Sequence, residues 1–433
     1  MTTRILIVGG GYVGMYTALR LQRALRPGEA HITLIDADSY MTYQPFLPEA
    51  AAGNLEPRHV VVPLRRVLRR CTILAGEVTR IDATGRFVEF EPRHGETRRA
   101  DFDLLVVAAG SISRTLPIPG LAEHGIGFKT VEESIHLRNQ VLAQLDLAAS
   151  TADPDVRRRA LTFAFVGGGY AGVEALAELE DMARDACRYF PSIEPSDLSW
   201  YLIEATDRIL PEVGPDMGRW TLEQLRARGI DIRLNTRIES AENGRVELDD
   251  GTGFDTATLV WTAGVKPHPV VASGDLPLDA KGRVKATAEL TVEGFDHVYA
   301  AGDCAAVPDL TRPGEFCAPN AQHAVRQTKV LAANIVAALR GRPRTPYKHA
   351  YVGSVASLGL HKGVAQIYGR KLRGPLAWFV HRTYHLSRVP TFNRKVRVLI
   401  DWTLALFFPR EIAALGALSD PRREFEYAAR GDR

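Results

Sequence analysis

The chain has 433 residues, 45% of them hydrophobic and 24% charged, which is more than one ordinary core can use and predicts two or three domains with little disorder. Its net charge of +3 is small for this length and includes no basic stripe with a reading element, which excludes nucleic-acid binding as the leading function. The four cysteines, Cys71, Cys187, Cys304 and Cys317, form no CxxC or CxxxxC pair, which predicts reduced thiols and no zinc site or neighbouring redox dithiol.

From the N-terminus, Met1-Thr2-Thr3-Arg4 leads directly into an apolar strand, Ile5-Leu6-Ile7-Val8. This is neither a signal nor a transit peptide, so a cytosolic start is expected. The strand runs into Gly9-Gly10-Gly11-Tyr12-Val13-Gly14, and a helical pattern follows. The same arrangement recurs at Phe163-Ala164-Phe165-Val166 followed by Gly167-Gly168-Gly169-Tyr170-Ala171-Gly172. Both copies match GxGxxG in a strand, turn and helix context, where one glycine makes the tight turn, one lets backbone approach a diphosphate and one lets helix and strand pack closely. After each helix a second strand ends in an acid, Asp36 in the first copy and Glu204 in the second, placed to accept hydrogen bonds from ribose hydroxyls. Later in each copy a buried strand ends in Ala-Gly: Ala109-Gly110 after Leu104 to Val107, and Ala263-Gly264 after Leu259 to Trp261.

Two dinucleotide-binding units and no other cofactor motif predict one permanently held FAD and one exchangeable nicotinamide nucleotide. Glu204 favours NADH over NADPH because a carboxylate repels a 2′-phosphate, although Arg208 lies nearby. Between the second glycine turn and Glu204, the stretch Cys187 to Trp200, broken by Pro191 and Pro195, reads as a surface insertion. The expected layout is α/β, with two Rossmann-like dinucleotide-binding domains for FAD and NAD(P)H and a C-terminal α+β region carrying amphipathic helices. The boundaries are 1–118 for the first part of the FAD domain, 119–283 for the NADH domain, 284–345 for the return to the FAD domain and 346–433 for the C-terminal region.

His297-Val298-Tyr299-Ala300-Ala301-Gly302-Asp303 is a strand ending in small residues and one acid. Here the chain resembles the FAD-dependent pyridine-nucleotide oxidoreductases, and the resemblance implies that Asp303 meets the ribityl chain of FAD. Tyr43 to Gly53, Gly172-Val173-Glu174, Trp261 to Val265 and Ala321-Gln322 narrow it to the type II NADH dehydrogenases, over roughly residues 4 to 410. That resemblance implies an NADH:quinone oxidoreductase that pumps no protons and lies peripherally on the cytoplasmic face of the inner membrane. It implies FAD contacts from Gly9, Gly11, Gly14, Asp36, Gln44 and Asp303, NADH contacts from Gly167, Gly169, Gly172 and Glu204, and further cofactor contacts from Val78, Ala109, Gly110, Ala321, Gly264 and Lys362. Glu174 and Gln322 are the implied catalytic residues, and no metal is implied. Arg326 departs from the pattern, standing where the family has a second glutamine and altering the polarity of the expected quinone pocket. Alternative readings are a soluble NAD(P)H-dependent flavoprotein reductase with a protein or other acceptor, and a relative of the sulfide:quinone oxidoreductases, which would need Cys304 and Cys317 as a pair.

Towards the C-terminus, Tyr347 to Gly369 reads as short strands with glycine turns, and Pro375 to Leu386 as a helix. Thr391 to Phe408 reads as an amphipathic helix with Phe392, Val396, Leu399, Ile400, Trp402, Leu406 and Phe407 on one arc, and Asn393, Arg394, Arg397 and Asp401 opposite. Its aromatic arc and bordering arginines predict an in-plane helix at a membrane surface, with a homodimer seam as the other use of the same stripe. Both nucleotide-binding repeats are complete by Arg340, so the chain from Pro375 onward is expected to be dispensable for them.

Overall fold

Runs of β-branched and aliphatic residues bounded by glycine turns form the central strands, and alanine-rich amphipathic segments form the helices between them. The computed structural model describes residues 2–349, 353–414 and 421–430. The chain divides into two compact units: Met1–Thr42, Val61–Arg114 and Val265–Tyr351 make the first, and Tyr43–Val60, Thr115–Gly264 and Val352–Arg433 the second.

The first unit is built on a six-stranded sheet in the order Thr291–Val292, Phe295–Ala300, Leu104–Val107, Thr3–Val8, Ala30–Asp36 and Cys71–Ala75. All neighbours are parallel except the edge pair of Thr291–Val292 with Phe295–Ala300. Register sets Ile5 opposite both Ile32 and Leu104, so Val8 and its glycine turn emerge at the carboxyl end of a strand flanked on both sides. Ligands bind in such sheets at this point, where the chain order reverses. The helices Tyr12–Ala24 and Ala321–Leu339 pack together in this unit.

The second unit repeats the design in a five-stranded parallel sheet ordered Gly125–Gly127, Thr258–Trp261, Thr162–Val166, Ser199–Ile203 and Asp231–Arg233. Its central strand Thr162–Val166 is wholly buried and feeds the second glycine turn. The Cys187–Trp200 stretch holds two short 3-10 turns, Cys187–Tyr189 and Pro195–Asp197. The C-terminal region is α+β: an antiparallel sheet of Gly353–Ser357, Gly363–Ile367 and Arg370–Arg373, followed by the helices Gly374–Arg388 and Phe392–Leu404. Residues 350–352 of the expected short-strand stretch lie outside the described residues.

The expected fold class is met. The two units have their bounds at residues 42, 60, 114, 264 and 351. Residues 43–60 and the C-terminal region pack with the second nucleotide-binding sheet.

Candidate functional site

Backbone sterics explain the glycines of the first turn. Gly9 has φ +99°, and a Cβ there would lie 2.3 Å from the Ala108 carbonyl oxygen; one on Gly14 would lie 1.7 Å from that of Gly9. These two positions exclude any side chain. Gly11 differs, because its φ is −70° and a Cβ would meet nothing within 4 Å. It sits at the start of a helix with no side-chain cap, where the helix dipole presents its positive end.

Asp36 closes this cradle from the end of the Ala30–Asp36 strand. Its Oδ2 accepts from the Gly10 N–H at 2.5 Å and its Oδ1 from the Asp38 N–H at 2.7 Å. Burial pushes its carboxyl up to about 6, against the pull of those two N–H groups. Gly302 has φ +77°, and a Cβ on it would lie 2.6 Å from Val13 Cγ2, so the turn bearing Asp303 abuts the first turn of the helix that starts the cradle. Asp303 Oδ2 accepts from Ser111 Oγ at 2.7 Å, and Gln327 Oε1 accepts the Gly302 N–H at 2.7 Å. Ala109 and Gly110, the latter with φ +68°, follow the adjacent strand, and Val78 is buried on the strand Glu77–Asp82.

The second unit copies this geometry. A Cβ on Gly167 would lie 2.8 Å from the Thr262 backbone and one on Gly172 2.0 Å from the Gly167 oxygen, whereas Gly169 again faces open space before an uncapped helix. Glu204 Oε2 accepts from the Gly168 N–H at 2.5 Å, and its Oε1 from the Thr206 N–H and hydroxyl, both at 2.7 Å. Gly264, φ +93°, also borders open space. Each donor set suits a dinucleotide: N–H groups and a helix end for the diphosphate, an acid for the ribose, and no Cβ in the way.

Glu174 lies near the start of the Tyr170–Ala186 helix, 7% exposed, with Oε1 accepting from the Ser357 N–H at 2.7 Å and 3.2 Å from His381 Nε2. Ala321 opens the Ala321–Leu339 helix, whose cap is supplied by Asn320 Oδ1 accepting the His323 N–H at 2.9 Å. Gln322 Oε1 lies 3.3 Å from His349 Nε2, and Arg326 is half-buried, folding back to donate to the Gln322 carbonyl oxygen at 3.3 Å.

Gln44 and Lys362 each have a partner within the second unit. Gln44 belongs to the second unit, where its amide donates to the Lys129 carbonyl oxygen at 3.2 Å. Lys362 Nζ donates to Asp181 at 3.1 Å at the surface. All four cysteines are free; burial pushes Cys304 and Cys317 up to about 11, so both are thiols at neutral pH. Among the described residues no group of His, Cys, Asp and Glu could hold a metal ion.

The C-terminal helices form as expected, with one correction. Phe392 is 82% and Phe407 75% exposed, with Val396, Leu399, Ile400 and Leu406 exposed beside them. Trp402 is turned away from that arc and buried, because its indole N–H donates to Glu49 Oε2 at 2.8 Å and its ring meets Phe46 edge-on at 5.6 Å. Arg382 is likewise buried, against the same carboxylate. Tyr43 and Glu49 enter the sequence analysis only as part of the Tyr43 to Gly53 run, and Glu178, His381 and His385 carry no role in it; the i, i+4 spacing of His381 and His385 within an amphipathic pattern is the one signal that singles out the last two.

Two uncapped glycine turns, each closed by a strand-end acid on a parallel sheet, define an oxidoreductase that handles two dinucleotides. The family model for pyridine nucleotide-disulphide oxidoreductases matches residues 3–328. A type II NADH:quinone oxidoreductase of Staphylococcus aureus is 30% identical over 387 residues, covering 88% of this chain and 93% of its own. One from Mycobacterium tuberculosis is 29% identical over 422 residues, covering 94% and 89%. The fold matches that of NDH2 from Plasmodium falciparum in complex with NADH at a TM-score of 0.88 and 18% identity, covering 95% of this chain and 100% of that one. The chain belongs to the pyridine nucleotide-disulphide oxidoreductases and, within them, to the type II NADH:quinone oxidoreductases.

Proposed function

We propose that the protein oxidises NADH and reduces a quinone, with FAD held in the first unit and NADH in the second. The observation that carries this is the pair of open, uncapped glycine turns, each closed by a strand-end acid. FAD, when bound, supplies the redox chemistry by taking a hydride from NADH and giving two electrons to the quinone. Gly9 and Gly14 shape the first turn, Gly11 leaves room for the diphosphate, Asp36 takes the adenosine ribose, and Asp303 takes the ribityl hydroxyls with Ser111 holding its carboxylate in place. Val78, Ala109, Gly110 and Ala321, all in the first unit, add further cofactor contacts. Gly167, Gly169, Gly172, Glu204 and Gly264 do the corresponding work for NADH, and the charge on Glu204 disfavours a 2′-phosphate. Glu174, in the second unit, and Gln322, in the first, are the catalytic residues of this reading.

The quinone is reached at a membrane surface. The exposed Phe392, Leu399, Ile400 and Phe407 with Arg394 nearby support this reading, since an apolar face bordered by cations suits the headgroup boundary. Among the described residues no helix is long and apolar enough to cross a membrane. Anaerobic addition of NADH to the purified protein should bleach its flavin absorbance, and a soluble quinone should then restore it. Bleaching without recovery on adding quinone would remove the quinone as acceptor, and a colourless protein indifferent to FAD would remove the whole reading.

A further inference from the structure

Two histidines of the C-terminal region lie close to Glu174 in the second unit. His381, 1% exposed, and His385 stand one turn apart on the Gly374–Arg388 helix and share a face, with ring centroids 4.6 Å apart. His381 Nε2 lies 3.2 Å from Glu174 Oε1, close enough to pair yet off the line of a good hydrogen bond, and its Nδ1 has no hydrogen-bond partner among the described residues. His385 is only half-buried, and its Nδ1 lies 3.2 Å from the Tyr43 hydroxyl, which also donates to the His385 carbonyl oxygen at 3.2 Å. A line therefore leads from a half-buried residue to a carboxylate that is hardly exposed.

The groups facing it leave the histidines as the mobile members. Glu49, from the Leu47–Ala51 helix, is tied to Arg382. Glu178, one helical turn beyond Glu174, accepts from Ser357 Oγ at 2.8 Å and Asn54 Nδ2 at 3.2 Å; burial first, and Glu49 next, push its carboxyl up, while Arg410 pulls it down and Asp181 pushes it up further. Burial, and then His381, hold the His385 imidazole well below its ordinary value, so it is neutral. A neutral imidazole carries one N–H and one lone pair, and can take a proton on one nitrogen while releasing one from the other. An unpartnered buried nitrogen such as Nδ1 of His381 calls for an explanation, and proton exchange is one.

The reaction needs such a supply. In NADH + quinone + H⁺ → NAD⁺ + quinol, the hydride brings two electrons and one hydrogen, and the second hydrogen is a proton from water. We propose that His385 and His381 are positioning residues that hand this proton from solvent to Glu174, for delivery to the quinone oxygen, with Tyr43 fixing the tautomer of His385. The proposal rests on the NADH:quinone reading and on Glu174 as one of its catalytic residues. A water O–H breaks as the first N–H forms on His385, each imidazole releases one N–H as it gains another, the last N–H breaks as an O–H forms on Glu174, and that O–H breaks as the quinol O–H forms, so one proton enters and one leaves for each quinol.

The test uses the full-length, FAD-loaded chain with His381→Asn and His385→Asn. NADH-reduced protein is reoxidised either by a short-chain benzoquinone, which needs protons, or by ferricyanide, which takes electrons alone. In both variants the quinone rate should fall at least about tenfold more than the ferricyanide rate, with the deficit growing as pH rises and partly restored by added imidazole. Histidine-selective ¹⁵N NMR of the oxidised protein should show the His385 titration midpoint rising in His381→Asn, because one of its two causes is gone. Equal slowing with both acceptors, or an unmoved His385 midpoint, overturns the relay while leaving the quinone reading intact. Wild-type protein that bleaches with NADH but reduces no quinone overturns both. Should His381→Asn lose FAD or fail to fold, the acceptor split of His385→Asn, at the half-buried end, decides.

Discussion

Glu49 and Arg382 form an ion pair at 2.7 Å with both side chains almost completely buried. The same carboxylate oxygen takes the Trp402 indole N–H, and the Arg382 guanidinium lies over the Trp378 and Trp402 rings at 4.1 and 4.7 Å. One acid thus fastens both C-terminal helices to the Leu47–Ala51 helix. Removing either partner strands the other charge away from water, so Glu49→Gln or Arg382→Met should each destabilise the protein by about 3–5 kcal/mol, and the double variant by clearly less than the sum. Urea unfolding followed by tryptophan emission measures this, and additivity of the two losses would show that the pair is not coupled. The arrangement also reverses an expectation: a chain cut before Pro375 leaves Glu49 without Arg382 and Trp402, so the second unit should not survive the cut intact.

The glycine turns separate two kinds of damage. Gly11→Ala and Gly169→Ala add a methyl that meets no protein atom within 4 Å, at ordinary negative φ, so both variants should fold with unchanged Tm. Gly11→Ala should then lose FAD on dilution, and Gly169→Ala should keep FAD but raise KM for NADH about tenfold or more, because the methyl occupies the diphosphate's space. Gly14→Ala and Gly172→Ala place Cβ within 2.0 Å of a backbone oxygen and should fail to fold normally. Normal nucleotide binding by the first pair would mean that the diphosphate lies elsewhere.

These turns were legible because their chemistry is local: the spacing of glycines, strand and acid within each repeat fixes the geometry without reference to distant residues. The C-terminal helices were legible as helices for the same reason. Which way Trp402 faces was not, since the arc of a helix wheel does not reveal Glu49, an acid far away in sequence that draws an indole N–H inward. Glu174 could be picked out from its place near a helix start, but its partner His381 is brought to it only by the packing of the C-terminal region on the second unit, a long-range pairing that periodicity cannot express.

FAD retention should depend on pH through Asp36. Ribose hydroxyls donate to the ionised carboxylate, and burial has raised this group from its ordinary 3.8 to about 6. Affinity should therefore be complete well above pH 6 and fall, by up to about tenfold per unit, below it. The stability of the FAD-free protein runs the other way: a raised folded value contributes stability that is full below 3.8 and lost as pH rises through about 6. Fluorescence titration of FAD at several pH values, with Asp36→Asn as control, checks the first trend; a wild type as insensitive as the variant would remove Asp36 from the ribose.

Glu204 should set nucleotide choice. Its carboxylate already accepts the Gly168 N–H and the Thr206 N–H and hydroxyl, which hold it at the end of the strand. Glu204→Ala removes both a ribose acceptor and a repulsion toward a 2′-phosphate. A hydrogen bond to a charged group contributes about 1.5–3 kcal/mol, so kcat/KM for NADH should fall about tenfold or more while that for NADPH holds or rises. Wild-type protein that used both nucleotides equally well would refute the charge argument.

The exposed face of the C-terminal helices should bind lipid. Phe392 and Phe407 are 82% and 75% exposed, Leu399 and Ile400 are half exposed, and Leu376 and Phe379 on the preceding helix are exposed as well. Thr383, Leu386, Phe392, Lys395, Val396 and Leu399 line a groove between the two helices. Because Trp402, Arg382 and Val398 are buried, point substitutions on the outer face test the surface without opening the core. Leu399→Glu with Phe407→Glu should abolish binding to anionic liposomes. Arg394→Glu with Arg397→Glu should weaken it in a salt-dependent way, at about 1 kcal/mol for each basic residue lost, with Arg397 also giving up its 3.2 Å contact to His59 Nε2. Bleaching by NADH should persist in every variant, whereas electron delivery to a quinone embedded in those liposomes should be lost with the binding. If the full-length protein ignores liposomes and the Leu399 and Phe407 changes alter only its mass by light scattering, the face is a seam between two copies of the chain and not a membrane surface.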